Sequence, residues 1–121
     1  MKIERWGVYL VDLNPPVGTK PGKIRPCVVV QDDALNETGH PSTVILPISS
    51  QMQDREKIEA ASFLRFFIPE GEGGLEADSV VLVDQISAWD NRRFIKQIGE
   101  LSSQTGDRLE QACRDFFGWS E

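Results

Sequence analysis

Residues 22–30, GKIRPCVVV, combine two cations, a proline and a run of small or β-branched apolar residues. Such a run favours a buried strand with apolar contacts on both faces. Pro26 has no N–H, so we expect it at the first residue of the strand or at an edge. A residue before proline is held extended, which places Arg25 at the lip of that strand. There Arg25 would either bind an anion or pair with one of the many carboxylates.

The 121 residues are 40% hydrophobic and 26% charged, values typical of an ordinary globular chain. The length predicts one domain over residues 1–121. No apolar run approaches the ~20 residues that span a bilayer, and residues 1–13 lack a signal-peptide layout. We therefore expect a cytoplasmic protein. Two cysteines and one histidine without ligand spacing predict core thiols and no metal site.

The net charge of −6 disfavours a general nucleic-acid coat protein, which would carry a basic face. The charge is unevenly placed, however. Residues 19–25 contain three cations and no acid, and so do residues 92–96. A local anion site is therefore compatible with the acidic total.

Short runs of strand formers recur along the chain and are followed by one helical pattern. Leu109, Ala112, Cys113 and Phe116 have the spacing of a helix face, with Ser102 or Ser103 as cap and a glycine at 118 as stop. The arrangement predicts a mainly β fold, a small, strongly curved antiparallel sheet or barrel with a C-terminal helix. Strands are predicted at 6–13, 24–31, 43–50 (with Pro47 marking a bulge or edge), 63–68, 79–83 and 94–101; residues 84–89 extend the fifth or form a sixth, and 14–23 and 32–42 are loops.

Polar groups occur at four places where a plain core would not require them. Hydroxyls at a strand end donate to a phosphate or simply bond their own backbone. A polar pair inside an apolar run braces a site, a turn or an interface. A triad of the Ser-His-Asp type is disfavoured, because the only histidine lies in a Gly-Pro loop. The four places are Arg25, the segment Ser49, Ser50 and Gln51, the pair Asp84 and Gln85, and the loop with Lys20 and Lys23.

Five blocks in order resemble the MazF/PemK (Kid) toxin family, and the resemblance runs from about Glu4 to Phe117. Each block alone is moderately specific, whereas all five in order at this length are highly specific. They are residues 6–15 (WGVYLVDLNP), 18–30 (GTKPGKIRPCVVV), 43–50 (TVILPISS), 73–86 (GGLEADSVVLVDQI) and 98–102 (IGELS).

The resemblance implies a barrel-like sheet of the SH3-like, CcdB–PemK type in a homodimer. It implies a metal-independent, sequence-specific endoribonuclease that cuts single-stranded RNA, often messenger RNA, and needs no cofactor. It also implies a cognate antitoxin with an acidic, disordered C-terminal segment that folds on binding.

The family's catalytic arginine falls on Arg25 and its catalytic threonine or serine on Ser49. One branch of the family has a further arginine at the place of Leu82, so this chain is expected to rely on Arg25. Asp84, Ser50 and Gln85 are expected to assist, and the RNA-binding residues are expected to be Thr19, Lys20, Lys23, Gln51 and Phe67. Trp89 is a second aromatic candidate for stacking on a base.

Two other functions fit the same sequence. One is a non-catalytic toxin that binds a protein, as CcdB-type gyrase inhibitors of similar fold do. The other is a relative that has lost activity and only binds RNA or antitoxin. Cleavage of pure RNA in the presence of a chelator separates the nuclease from both.

Overall fold

A computed structural model describes residues 1–19, 22–51 and 64–119. A one-turn helix, α1 (Asp33–Asn36), lies between the second and third strands, and α2 (Ser103–Phe117) is near the C-terminus. Across these residues, no helix has the length and apolar character needed to cross a membrane. The strands are β1 (Gly7–Asp12), β2 (Ile24–Val29), β3 (Ser42–Ser49), β4 (Arg65–Ile68), β5 (Ser79–Leu82), β6 (Ser87–Asp90) and β7 (Phe94–Glu100).

The seven strands form one antiparallel sheet, six of them in the order β4-β5-β3-β2-β1-β7 and β6 beside this path. β6 pairs with the first half of β3, and β5 pairs with its end. Among the described strands no pairing joins β4 to β7, so the sheet is open rather than a closed barrel. The predicted mainly β fold, an antiparallel sheet with a C-terminal helix, is confirmed.

Apolar side chains cover both faces of the central strands. In β2, Val28 belongs to one core cluster, whereas Cys27 and Val29 belong to another on the opposite face. The prediction of contacts on both faces is therefore confirmed. Burial raises the pKa of the Cys27 thiol to about 12, which agrees with its predicted role as a core residue.

Helix α2 begins and ends as the sequence predicts. The Ser102 side chain accepts a hydrogen bond from the Thr105 N–H, and Gly118 ends the helix in the left-handed conformation (φ 72°). Leu109 is fully buried in the larger core cluster, with Cys113 and Phe116 packed against it. This face holds the helix on the sheet.

Two prolines occupy positions that differ from the simplest expectation. β2 begins two residues before Pro26, but residues 24–26 pair only with β1, so Pro26 is at a local edge toward β3. Pro47, predicted at a bulge or an edge, lies in a central strand, so the edge alternative is wrong. It is tolerated because β3 pairs with β6 through Ile45 and with β5 only from Ile48, which leaves a gap at residue 47.

Two segments carry structure beyond the prediction. The loop at 32–42 contains α1, whose single turn is too short to show helical periodicity. Residues 84–89 do not extend β5, because a 3-10 turn at Val83–Gln85 redirects the chain before β6 begins. β6 is therefore the sixth strand, the second of the two alternatives.

Candidate active site

A cleft opens where β2 and β3 separate. Their ladder ends at the pair Cys27 and Pro47. The same register, continued two residues further, sets Arg25 opposite Ser49, but the strands no longer pair there. Both residues line a cleft of about 500 Å³ at this point. The ends of two strands thus bring a guanidinium and a hydroxyl from distant parts of the sequence to one site.

The Arg25 side chain is half-buried at the free edge of β2. Its Nε donates to the carbonyl oxygen of Gly22 at 3.1 Å, which orients the guanidinium. Arg25 forms no ion pair with any carboxylate in residues 1–19, 22–51 and 64–119. The alternative of a carboxylate-paired arginine therefore has no support in the described part of the chain.

Lys23 stands at the mouth of the cleft in a constrained backbone conformation. Its φ is 70°, which is costly for a residue with a Cβ. Two hydrogen bonds hold it there. Its N–H donates to Asn14 Oδ1, and its carbonyl oxygen accepts from the Leu13 N–H, each at 2.8 Å. The loop preceding β2 is thereby closed on β1 so that Lys23 lines the cleft.

Ser49 ends β3 and is only 3% exposed. Its Oγ accepts a hydrogen bond from the Gln51 N–H at 3.1 Å, the local backbone bond considered as the alternative role for this hydroxyl. A hydroxyl both accepts and donates, so this bond orients Oγ without excluding a role toward a phosphate. Ser50 and Gln51 follow on the same wall of the cleft and are exposed.

Three cations line the cleft. Three of its lining residues, Lys23, Arg25 and Lys96, form no ion pair in the described part of the chain, and the acid that lines it there is Glu76. This contrast is notable in a protein of net charge −6, where acids are plentiful. Elsewhere, ion pairs join Lys2 to Glu4, Arg5 and Arg114 to Glu110, Arg65 to Asp84, and Arg92 to Asp90.

Several residues named from the sequence lie outside the cleft lining. Phe67 is 40% exposed on β4, and Thr19 is exposed in the loop before β2. Trp89 is half-buried against the core, and its N–H donates to Ser87 Oγ at 2.8 Å. Lys20 falls outside the described residues. The RNA-binding roles expected for Phe67, Thr19 and Lys20 stay predictions.

Asp84 and Gln85 also lie away from the lining, in the 3-10 turn that follows β5. Asp84 Oδ1 accepts a hydrogen bond from Arg65 Nη1 at 2.6 Å. Arg65 comes from β4, where its cross-strand partner is Leu82. Asp84 therefore ties β4 to the turn after β5, so its observed contact is a structural one that braces a turn. An assisting role in chemistry stays a prediction for both residues.

Replacing Asp84 with asparagine is expected to lower the free energy of unfolding by about 1–3 kcal/mol. The change leaves the Arg65 side chain, only 11% exposed, without its counter-charge, while the 31% exposure of Asp84 limits the loss. Urea denaturation measures it. Asp90→Asn is the matched control, because it removes the charge from an exposed pair with Arg92 and should leave the free energy of unfolding nearly unchanged. A large loss of cleavage rate in folded Asp84→Asn protein would instead support the assisting role.

Two charged residues of the cleft lining were not identified as site residues from the sequence, Lys96 and Glu76. Lys96 belongs to the acid-free run at 92–96. This run indicates a local basic segment but does not indicate that Lys96 shares a cleft with Arg25. Glu76 has no distinguishing signal. Glu76 and Lys96 lie in the same cleft because the backbone of the 73–74 turn contacts the backbone of β7. A Cβ on Gly74 would lie 2.0 Å from the Ile98 carbonyl oxygen, so the 73–74 turn sits directly on β7 and sets residues 74–77 beside the strand that carries Lys96.

The described residues contain no group of three or more His, Cys, Asp or Glu placed to hold a metal ion. A family model described as PemK-like, MazF-like toxin of type II toxin-antitoxin system matches residues 4–117. The chain belongs to the MazF/PemK toxin family. Among its relatives in this family is endoribonuclease EndoA of Bacillus subtilis, 31% identical over 119 residues, which cover 94% of this chain and 93% of EndoA.

Solved MazF structures share the fold. The chain matches MazF from Deinococcus radiodurans with a TM-score of 0.77 at 18% identity, over 98% of each chain. A MazE–MazF structure from the same organism gives 0.72 at 19% identity, over 99% of this chain and 100% of the other. The toxin MazF-mt6 of Mycobacterium tuberculosis gives 0.74 at 16% identity, over 95% and 99%. The open sheet with its C-terminal helix is thus a MazF fold.

Proposed function

We propose that this MazF/PemK family member is a toxin endoribonuclease that cuts single-stranded RNA without a metal ion. The observation that carries the proposal is the cleft that Arg25, without a carboxylate partner in the described part of the chain, and Ser49 both line at the diverging ends of β2 and β3. A relative named endoribonuclease EndoA, aligned over nearly the whole chain, supports the same activity.

The proposed reaction uses the substrate's own nucleophile. The RNA 2′-oxygen attacks the adjacent phosphorus and loses its proton, the bond from phosphorus to the 5′-oxygen breaks, and that oxygen gains a proton. The products are a 2′,3′-cyclic phosphate and a 5′-hydroxyl. Negative charge accumulates on the phosphorane oxygens, so the protein must supply oriented donors at those oxygens.

Arg25 and Ser49 supply such donors. A guanidinium is planar, permanently charged and suited to two phosphate oxygens at once. The guanidinium is a poor base and a poor acid, so Arg25 chiefly stabilises the phosphorane and donates a hydrogen bond to the leaving 5′-oxygen, which gains the proton that the 2′-hydroxyl loses. Ser49 orients the phosphate or relays a proton through Oγ. Lys23 at the mouth and Ser50 and Gln51 on the wall contact the flanking nucleotides.

The protein acts, in this proposal, as a single domain over residues 1–121, as a homodimer and in the cytoplasm, where messenger RNA is available. Its antitoxin lays an acidic segment over the cations of the cleft, and charge complementarity drives that binding. The structures of MazE–MazF from Deinococcus radiodurans, and of a mycobacterial endoribonuclease with its cognate antitoxin, support such a partner.

The decisive experiment incubates the pure protein with an end-labelled transcript in the presence of a chelator. Discrete cuts with 2′,3′-cyclic phosphate ends support the proposal. Absence of cutting, together with toxicity that survives Arg25→Ala, favours a toxin that binds a protein target. RNA or antitoxin binding without turnover favours a relative that has lost activity.

Ser49→Ala is expected to slow cleavage about 100-fold, because it removes one donor aimed at the phosphate. Ser49→Thr keeps the hydroxyl and should retain most of the rate. Ser50→Ala is the matched control, since it removes a neighbouring exposed hydroxyl on the same wall. Single-turnover cleavage of one mapped site measures all three. Equal rates for Ser49→Ala and wild type would contradict a role for this hydroxyl.

A further inference from the structure

We infer that Lys96 binds a second phosphate of the RNA, so that the substrate strand crosses the sheet from β2 over β1 to β7. The inference rests on the proposed endoribonuclease function and extends it to the path of the substrate. It assigns a role to Lys96, which lies outside the five family blocks and forms no ion pair in the described part of the chain.

The register of the sheet places Lys96 on the floor of the cleft. Leu10 of β1 pairs with Pro26 on one side and with Lys96 on the other. Directly paired residues of antiparallel strands project from the same face. Two strand spacings separate Pro26 from Lys96, a distance of about 10 Å. Lys96 therefore shares one face of the sheet with the apolar residues Leu10 and Pro26. Arg25 precedes Pro26 and starts from the opposite face, because successive strand residues alternate faces, but it lines the same cleft as Lys96 at the free edge of β2.

Irregular pairing in β7 surrounds Lys96. The pairing of β7 with β1 shifts register at Ile98 and again at Ile95, so Lys96 and Gln97 lie between two bulges. Bulges increase local twist and re-aim side chains, and they recur beside active sites. The contact of the 73–74 turn with Ile98 and Gly99 fixes this part of β7 against the cleft wall.

The electrostatic setting favours a phosphate as the partner of Lys96. The side chain is exposed, lines the cleft and has no hydrogen bond or ion pair in the described part of the chain. Two further cations, Lys23 and Arg25, line the same cleft. An RNA strand that places its reacting phosphate at Arg25 and continues over Leu10 brings another phosphate to Lys96, with ribose or base against the apolar floor.

The test measures how salt affects binding of an RNA that cannot be cut. A fluorescent oligonucleotide spanning a mapped cleavage site, 2′-O-methylated at the reacting nucleotide, is titrated at several KCl concentrations. Lys96→Gln should weaken binding about 2- to 5-fold. It should also reduce the slope of log affinity against log salt by about 0.7, the value for one phosphate contact on a single strand. Lys96→Arg should keep the slope.

Lys2→Gln is the matched control, since it removes an exposed lysine that pairs with Glu4 outside the cleft lining, and its slope should equal that of wild type. Cleavage by Lys96→Gln should show a raised KM with kcat nearly unchanged. The inference is overturned if the salt slope of Lys96→Gln equals that of wild type, or if the slope of Lys2→Gln falls as much as that of Lys96→Gln. In either case, cleavage of RNA by the wild type would still support the proposed function. A wild type that neither binds nor cuts RNA overturns both.

Discussion

Replacing Arg25 with alanine is expected to lower the rate of RNA cleavage about 100- to 1000-fold, the usual cost of one donor aimed at developing charge. The reason is geometric as well as electrostatic. The Arg25 Nε is held by the Gly22 carbonyl oxygen, and Arg25 and Ser49 line the same cleft where β2 and β3 diverge. Single-turnover cleavage at a mapped site, with circular dichroism to verify folding, measures the loss.

Two companion variants make the Arg25 result specific. Arg25→Lys keeps the charge but loses the planar fork, so its rate should fall between those of wild type and alanine. Arg92→Ala removes an exposed arginine that pairs with Asp90 outside the cleft lining, and it should cut RNA at the wild-type rate. If Arg25→Ala were as active as Arg92→Ala, the cleft would not be the catalytic site.

Gly74→Ala is expected to lower the free energy of unfolding by about 3 kcal/mol or more, combining a steric clash with a left-handed backbone. Its φ is 75°, and an added Cβ would lie 2.0 Å from the Ile98 carbonyl oxygen. That atom belongs to the backbone of β7 and cannot rotate away as a side chain could. Urea denaturation followed by tryptophan fluorescence measures the change.

Gly39→Ala separates the two causes. Gly39 has nearly the same φ, 77°, but an added Cβ would meet nothing within 4 Å. Its loss should therefore be about 1–2 kcal/mol, the cost of the left-handed conformation alone. Similar losses for the two variants would mean that the 73–74 turn does not pack on β7 as described, and the wall of the cleft would then need another explanation.

Local signals predicted most of the elements. The helix face through Leu109, its cap at Ser102 and its stop at Gly118 lie within a few residues of the groups they act on, so a short window of sequence contains the cause. The single turn of α1 and the central position of Pro47 were not predicted. The helix α1 is too short to show helical periodicity, and the position of Pro47 depends on which strands pair with β3.

Only part of the candidate site could be predicted from the sequence. Arg25 and Ser49 were named through resemblance to a family, supported by the proline that holds Arg25 extended. Asp84 was marked as unusual, but its partner Arg65 lies nineteen residues away and meets it only because β4 pairs with β5. Lys96 was part of a noted basic run without any indication that it shares a floor with Pro26.

By itself, the amino-acid sequence determined most of the strands, the C-terminal helix, the extended backbone of Arg25 before Pro26, and the family. Each of these depends on local backbone preference or on the order of the five sequence blocks that resemble the family. Only the tertiary structure decided that Arg25 and Ser49 line one cleft, that Asp84 is tied to Arg65, and that Lys96 joins the cleft without a carboxylate partner in the described part of the chain. Register, bulges and charge pairing arise between strands that are distant in sequence, so no local pattern contains them.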